Sequence, residues 1–248
     1  MNHAWVRQLA GLAVFLAVWE GAARHGMLNP LYIPAPLAIA SALLTLFAEG
    51  TIWPHLEATF AAALGGLAAG LVVGTVLGVA AALLPLVAEL LEPVMVLLNA
   101  VPRVVLAPLF VIWLGIGLAS KVALAFILVA VVIFFTVFTG IRQVDRRLVE
   151  RITTLGGGRL ALLREVYLPS VTAWILGNLK VAVGFAFTGA VVGEFVAATR
   201  GLGYLLSFAQ STFNAALMLA IVTVIMVVVL LIFALAGWLE HRLLRWRG

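Results

Sequence analysis

This 248-residue chain contains no cysteine and few charged residues. Asp, Glu, Lys and Arg make up 10% of the residues, compared with about 25% in a typical soluble domain. The absence of cysteine excludes disulfides and thiolate metal ligands. Hydrophobic residues make up 65% of the chain, and the mean hydropathy is +1.22. This composition excludes an ordinary water-soluble globule, and it excludes a disordered chain, which requires low hydrophobicity and high charge.

The sequence also lacks the motifs of several enzyme classes. Its only two lysines, Lys121 and Lys180, do not follow a glycine, so the chain has no Gly-x4-Gly-Lys-Ser/Thr loop to hold nucleotide phosphates. It has no His-Glu-x-x-His motif for a catalytic zinc. We therefore predict no enzymatic activity, no ATP site of its own, no cofactor and no metal site.

Long stretches without charge indicate membrane spans. Residues 58–88 and 201–239 contain no Asp, Glu, Lys or Arg, and residues 166–193 contain only Lys180. A helix needs about 20 mostly apolar residues to cross a bilayer. The sequence predicts an all-α fold, a polytopic membrane bundle of six transmembrane helices in one domain over residues 1–248. The predicted spans lie at about 6–23, 60–83, 94–116, 121–140, 170–193 and 216–239.

The basic residues predict the orientation in the membrane. Six arginines lie within residues 142–165 and three more within the C-terminal tail. With six spans, this loop, the tail and Arg7 share one face, and basic residues favour the cytoplasmic side. Both termini are therefore predicted to be cytoplasmic. Nucleic-acid binding is disfavoured because the basic residues flank spans and form no basic domain.

Four residues are candidates for a transport pathway or gate. Pro102 and Arg103 lie where prolines interrupt the third predicted span, and broken membrane helices either kink for packing or line a pathway. Lys180 is a charge within the fifth span, and Glu194 follows the outer end of that span. Charges at membrane depth are candidates for function, although Lys180 could also extend towards the interface or pair within the bundle.

Glycines recur every fourth residue in the second predicted span, at Gly66, Gly70, Gly74 and Gly78. This spacing places them on one helix face. Small residues in such a row allow another helix to approach closely. The sequence leaves open whether that helix belongs to the same chain or to a second copy.

Residues 141–169 form the longest predicted cytoplasmic connection. Helical spacing of apolar residues is followed by Gly156, Gly157 and Gly158, and then by a second short amphipathic turn. Pro169 suits the first turn of the next span. The pattern predicts a helix, a glycine bend and a second helix. Long ordered loops of this kind tend to be functional.

The spacing within this loop resembles the EAA loop of ATP-binding cassette importer permeases. The family pattern is Glu-Ala-Ala, three residues, Gly, nine residues, Ile, one residue and Leu-Pro. Glu150 and Gly156 take the Glu and Gly positions, Val166 takes the Ile position, and Leu168-Pro169 close the pattern. The two alanines are replaced by Arg and Ile. Further segments resemble the nitrate/sulfonate/taurine-type branch: 32–36, 108–117, 140–142, 193–194 and 201–204.

The resemblance implies a permease subunit with a cytoplasmic coupling helix, in the inner membrane of a bacterial cell. Its expected partners are two copies of a cytoplasmic ATPase subunit, an external solute-binding protein and a second copy of itself. The expected substrate is a small organic anion or a vitamin-like compound. The ATPase is expected to contact Glu150, Leu155, Gly156, Gly157, Arg159, Leu168 and Pro169.

Two other classes of function are alternatives to this prediction. An ion-coupled secondary transporter needs coupling carboxylates near the membrane midplane. The candidates Glu20 and Glu194 lie near span ends, which disfavours that class. A membrane assembly protein without transport would explain the glycine row but not the spacing within the loop.

Overall fold

Apart from a few side chains, Arg103 and Arg159 among them, the computed structural model describes residues 3–243. No strand occurs in this range, and the predicted all-α class is confirmed. The helices are α1 (His3–Arg24), α2 (Pro36–Ala48), α3 (Trp53–Leu83), α4 (Pro85–Ala100), α5 (Leu106–Leu114), α6 (Leu118–Arg142), α7 (Arg146–Thr154), α8 (Arg159–Leu162), α9 (Leu168–Gly177), α10 (Leu179–Val196), α11 (Leu202–Ser211) and α12 (Ala215–Leu243). A 3₁₀ turn (Arg103–Val105) precedes α5, and a π turn (Leu163–Tyr167) joins α8 to α9.

Six helical stretches in the described part of the chain are long and apolar enough to cross a membrane, which agrees with the predicted number. They are Trp5–Arg24, Trp53–Leu83, Leu118–Arg142, Leu160–Gly177, Leu179–Val196 and Ala215–Trp238. Their division along the chain differs from the predicted spans in two places.

The first difference concerns the predicted third span, 94–116, where the interruption expected from its prolines divides the span into two helices. α4 ends at Ala100, and the chain passes through Val101 in an extended conformation and a 3₁₀ turn before α5 begins. Pro102 causes this break, because proline lacks an N–H and disfavours helical geometry in the residue before it. With 16 and 9 residues, α4 and α5 are each too short to cross a bilayer alone.

The second difference concerns the predicted fifth span, 170–193. It consists of α9 and α10, which meet at Asn178. The backbone hydrogen bonds continue through the junction: the Asn178 N–H donates to the Trp174 carbonyl, and the Ala182 N–H donates to the Asn178 carbonyl. Gly177 and Asn178 have low helix propensity, which explains why the helix is irregular at this point.

The centre of the bundle is the close packing of α3 on α6. The row of glycines on α3 is buried at this contact. A Cβ atom at Gly70 would lie 2.6 Å from the Val129 Cβ, and one at Gly74 would lie 2.6 Å from the Ala130 carbonyl oxygen. The open question about these glycines is thereby answered: they pack within the chain. α10 joins the same core, where Gly189 packs against the backbone of α6.

The remaining helices surround this core. α12 packs against α2, α10 and α11, and α1 contacts α2 at the edge of the bundle. The 141–169 loop lies where α9 begins, and α11 lies beyond the far end of α10. The bundle therefore has a loop end and an α11 end, separated by the length of α9 and α10.

Candidate functional site

The 141–169 loop begins with a capped helix that lies outside the bundle. The Asp145 carboxylate accepts a hydrogen bond from the Arg147 N–H at 2.9 Å, which satisfies one of the free N–H groups at the start of α7. None of the residues of α7 is buried. Glu150 lines a shallow groove with Arg142, Arg146 and Tyr167, where the loop meets the bundle.

A glycine turn of the Schellman type ends α7. Gly156 has φ +80°, the left-handed conformation that favours glycine. The Gly156 N–H donates to the Thr153 carbonyl at 3.0 Å, and the Gly157 N–H donates to the Ile152 carbonyl at 2.9 Å. A Cβ at Gly157 would lie 2.8 Å from the Ile152 oxygen. Both glycines are therefore required by the geometry of the bend, one by its conformation and one by its close packing.

Leucines project into solvent on both sides of the bend. Leu155 and Leu160 are 77% and 78% exposed, and Leu148 on α7 is also exposed. We call these three residues the leucine patch. The surrounding loop is rich in arginine, so these exposed leucines lie in a basic stretch of the chain.

The end of the loop is fastened to the bundle. Val166 is buried, Tyr167 packs against the main core, and the Ser170 hydroxyl donates to the Val166 carbonyl at 2.7 Å. Leu168 is exposed, and Pro169 lies in the first turn of α9 as predicted. A short π turn therefore connects the exposed part of the loop directly to α9. The predicted contact residue Arg159 has its side chain outside the described part.

The four pathway candidates do not form one site. Pro102 is exposed at the break between α4 and α5, where its carbonyl accepts from the Val105 N–H, and the Arg103 side chain is outside the described part. Lys180 lies at the start of α10 and lines a cavity of about 440 Å³ between α10 and α12. Glu194 lies 14 residues further along α10, roughly 21 Å away along the helix axis.

Glu194 is the centre of a buried polar cluster. Its side chain is 2% exposed, and its Oε2 atom accepts hydrogen bonds from the Thr59 hydroxyl at 2.8 Å and from the Gly203 N–H at 3.0 Å. The buried Lys121 ammonium on α6 interacts electrostatically with the carboxylate. A buried charge requires such compensation, because its transfer out of water is costly.

The cluster caps the N-terminus of α11 with side chains from other helices. The Leu202 N–H donates to the Thr59 hydroxyl oxygen, and the Gly201 N–H donates to His55 Nδ1 at 3.0 Å. These bonds satisfy N–H groups that a helix start otherwise leaves free. Gly201 has φ +123°, and a Cβ on it would collide with the Glu194 carboxylate. The cluster thus joins α3, α6, α10 and α11 at the α11 end.

Thr59, His55 and Lys121 were not predicted as site residues. Lys121 is the first residue of the fourth predicted span, and His55 and Thr59 precede the second predicted span. Two signals in the sequence point to this region. Lys121 and Glu194 are charges next to long apolar segments, and Gly201 and Gly203 lie on either side of Leu202. These signals suggest a close approach at the α11 end, but they do not identify the helix that supplies the hydroxyl group.

The helix bundle described above is that of a polytopic membrane protein. Residues 70–245 match the binding-protein-dependent transport system inner membrane component family, and the chain belongs to that family. It is a permease subunit of an ATP-binding cassette importer and a multi-pass membrane protein.

Curated relatives cover nearly the whole chain. The taurine transport system permease protein of Escherichia coli (strain K12) is 32% identical over 242 residues, 96% of this chain and 88% of the relative. The riboflavin transport system permease protein of Chloroflexus aurantiacus is 33% identical, with the same coverage of both chains. The formylaminopyrimidine transport permease protein of Halalkalibacterium halodurans is 31% identical over 94% of this chain and 93% of the relative.

Solved structures share the fold. An inward-facing structure of the MetNI methionine ABC transporter aligns with a TM-score of 0.58 at 20% identity, covering 78% of this chain and 93% of that chain. A crystal structure of an amino acid ABC transporter with histidines aligns with a TM-score of 0.59 at 18% identity, covering 76% and 92%.

Proposed function

We propose that this permease works as a homodimer, with two copies of a cytoplasmic ATPase subunit docked on its two 141–169 loops. The observation that carries this proposal is the leucine patch around the glycine bend. Full burial of a leucine contributes about 1.5–3 kcal/mol, so covering Leu155 and Leu160 favours docking strongly. Arginines around the patch supply charge-assisted hydrogen bonds to an acidic rim.

The connection between the loop and α9 supports coupling. The leucine patch is exposed, while Val166 and Tyr167 are packed into the bundle only a few residues away. Movement of a docked ATPase would therefore displace α9 and, through Asn178, α10. Since the chain has no phosphate-binding loop, a separate subunit must bind and hydrolyse ATP.

The orientation follows from the same assignment. The loop and both termini lie on the cytoplasmic face of the bacterial inner membrane, and the α11 end faces outwards. In this arrangement α9 and α10 together cross the membrane once, as do α4 and α5 with their proline break. The spans then keep the predicted order, and the arginine-rich loop remains on the side that basic residues favour.

The substrate is a small organic anion or a vitamin-like compound that an external binding protein delivers. The support is the range of relatives, which are named for taurine, riboflavin, formylaminopyrimidine and aliphatic sulfonates. Lys180 lines the cavity between α10 and α12 and is a candidate contact for such an anion within the pathway. Pro102 and Arg103, at the break between α4 and α5, remain further pathway candidates.

The alternative of an ion-coupled secondary transporter is disfavoured by the partners of its candidate carboxylates. Glu20 accepts from Arg24 Nε at 2.7 Å and from the Leu37 N–H at 3.0 Å. Glu194 accepts from Thr59 and Gly203. Both carboxylates are engaged in bonds that join helices, and a coupling carboxylate has to exchange its ion in each cycle.

Uptake into proteoliposomes tests the proposal. The permease is reconstituted with its ATPase and supplied with the binding protein, and uptake of a radiolabelled substrate is measured. Uptake is expected only when ATP and both partners are present. Uptake by this chain alone, driven by a proton or sodium gradient, would overturn the proposal and support the secondary transporter.

A further inference from the structure

An apolar groove lies between α1, α2 and α12, apart from the sites described above. Its volume is about 630 Å³, and its walls include Leu16, Leu43, Leu219 and Val222. The groove shares no residue with the 141–169 loop or with the Glu194 cluster. It lies at the edge of the bundle, where α1 contacts α2.

One polar group in the wall of this groove lacks a partner. The indole N–H of Trp19 is buried, and it finds no hydrogen-bond acceptor within the described residues. A buried donor without a partner costs about 1–3 kcal/mol, so native structures usually provide an acceptor from the protein, water or a ligand. The Trp19 ring is partly exposed and lines the groove, and its buried N–H reaches an occupant only when the ring rotates.

The neighbours of Trp19 identify its depth in the membrane. Glu20, the next residue, forms an ion pair with Arg24 and accepts a hydrogen bond from the Leu37 N–H at the start of α2. These charged groups belong at the level of the lipid headgroups. Leu16 precedes Trp19 by one helical turn, on the side away from Arg24. It faces the same groove and belongs at the level of the acyl chains. Trp19 therefore lies at the boundary between the two, where amphipathic aromatic rings are enriched.

We propose that this groove binds a glycerophospholipid whose ester carbonyl accepts the Trp19 N–H. One acyl chain fills the apolar groove, and the phosphate lies beside Arg24. The Arg24 side chain is mostly exposed and bonds Glu20 through Nε, which leaves its two terminal amino groups to contact a phosphate. The bound lipid thus fits all three levels of the site: headgroup, ester and chain.

Other occupants lack one of these features. A helix from another membrane protein has its backbone carbonyls bonded within the helix, so it does not readily supply an acceptor to Trp19. A hydrocarbon chain without an ester fills the groove but also leaves the N–H unpaired. The ester is therefore the distinguishing group, and the experiment varies it alone.

The test compares two phosphatidylglycerols that have the same chains and headgroup but ester or ether linkages. The full chain is purified in a mild detergent and delipidated, and lipid binding is measured by native mass spectrometry. Wild-type protein is expected to bind the ester lipid about 2- to 10-fold more tightly, the effect of one hydrogen bond. Trp19→Phe keeps the ring but removes the donor, and it is expected to abolish this preference.

Trp238→Phe is the matched control, because Trp238 is exposed on α12 outside the groove and packs against Arg242. It should retain the wild-type preference for the ester. Ala17→Phe places a ring in the groove and should reduce the binding of both lipids. Equal affinity of wild type for both lipids, an unchanged preference in Trp19→Phe, or unchanged binding in Ala17→Phe would each overturn the proposal.

Discussion

At the scale of single residues, the buried Thr59 hydroxyl links three helices. It donates to Glu194 and accepts from the Leu202 N–H, so it connects α3, α10 and α11 through one oxygen atom. Thr59 is fully buried, so no water replaces either partner if the hydroxyl is lost. Loss of the hydroxyl is therefore expected to matter because it leaves two buried groups, Glu194 and the Leu202 N–H, each short of one partner.

We therefore expect Thr59→Val to destabilise the α11 end. Valine preserves the shape but leaves the Leu202 N–H and the Glu194 carboxylate each short of a partner, at a cost of about 1–3 kcal/mol. The measurement is the thermal unfolding midpoint of the purified protein in detergent. Thr172→Val is the control, because the Thr172 hydroxyl is exposed and bonds only the Leu168 carbonyl in its own helix. Equal midpoints for the two variants would contradict this role of Thr59.

Gly156 is the second residue for which the local geometry allows a specific prediction, the effect of an aspartate substitution. In Gly156→Asp, the side chain enters a left-handed backbone position and places a carboxylate beside the leucine patch. We expect normal insertion but at least a tenfold loss of ATP-dependent uptake and of ATPase stimulation. Such a loss requires about 1.4 kcal/mol, and an unpaired charge in a docked interface costs more than that.

Gly26→Asp is the matched control for this variant. Gly26 has φ +71° and open space around its Cα, as Gly156 does, but it follows α1 and lies outside the loop. The two variants introduce the same strain and the same charge. Equal losses of uptake would therefore indicate a general effect of the substitution, and full coupling in Gly156→Asp would refute our assignment of the loop.

At the scale of secondary structure elements, contact between α3 and α6 determines the centre of the bundle. The glycine row on α3 leaves no room for side chains, and the side chains that lie opposite on α6 are those of Ala125, Val129, Ile133 and Val137. In a membrane, close packing of this kind is a main source of helix association. The stability of the bundle therefore depends on the absence of Cβ atoms along the glycine face of α3.

Gly70→Ala tests this dependence. The new Cβ would lie 2.6 Å from the Val129 Cβ, so α3 and α6 must separate, at a cost of about 1–3 kcal/mol. We expect a lower thermal midpoint in detergent, although alanine has a higher helix propensity than glycine. Gly11→Ala on α1 is the control, because no atom lies within 4 Å of its Cβ position, and its midpoint should not fall. If Gly70→Ala is as stable as wild type, the close packing of α3 on α6 is refuted.

At the scale of the whole molecule, the proposed transporter contains two copies of this chain. The Lys180 cavity extends along α10 as far as Val192 but does not include Glu194. One bundle is small for a pathway that opens to alternate sides. The exposed apolar residues of α4 and α5, such as Leu97, Ile112 and Trp113, offer area for a second copy as well as for lipid.

We expect the complex purified with its ATPase to contain two permease chains. The measurement is native mass spectrometry, in which each permease contributes 26.3 kDa. Ile112→Arg should reduce the dimer, because it places a charge on the exposed apolar surface of α5, whereas Leu12→Arg on α1 should leave it intact. A complex with a single permease chain would contradict the proposed assembly.

The sequence alone predicted much of the fold and part of the site. Charge-free stretches longer than a helix needs to cross a bilayer identified the membrane class, because lipid excludes charge from such segments. The spacing from Glu150 to Pro169 located the loop, and Gly156 indeed adopts the left-handed conformation that a glycine there permits. These features are local, since they depend on residues that are close together along the chain.

The tertiary structure decided what depends on distant residues. It placed the glycine row against α6 and the Thr59 hydroxyl between Glu194 and Leu202, contacts that span more than 50 residues of sequence. The division of span 94–116 at Pro102 was indicated by the prolines of the sequence, whereas the irregularity at Asn178 in span 170–193 was found only in the structure. Apolar composition determines that a segment enters the membrane, whereas steric fit and hydrogen bonding between helices determine its partners there.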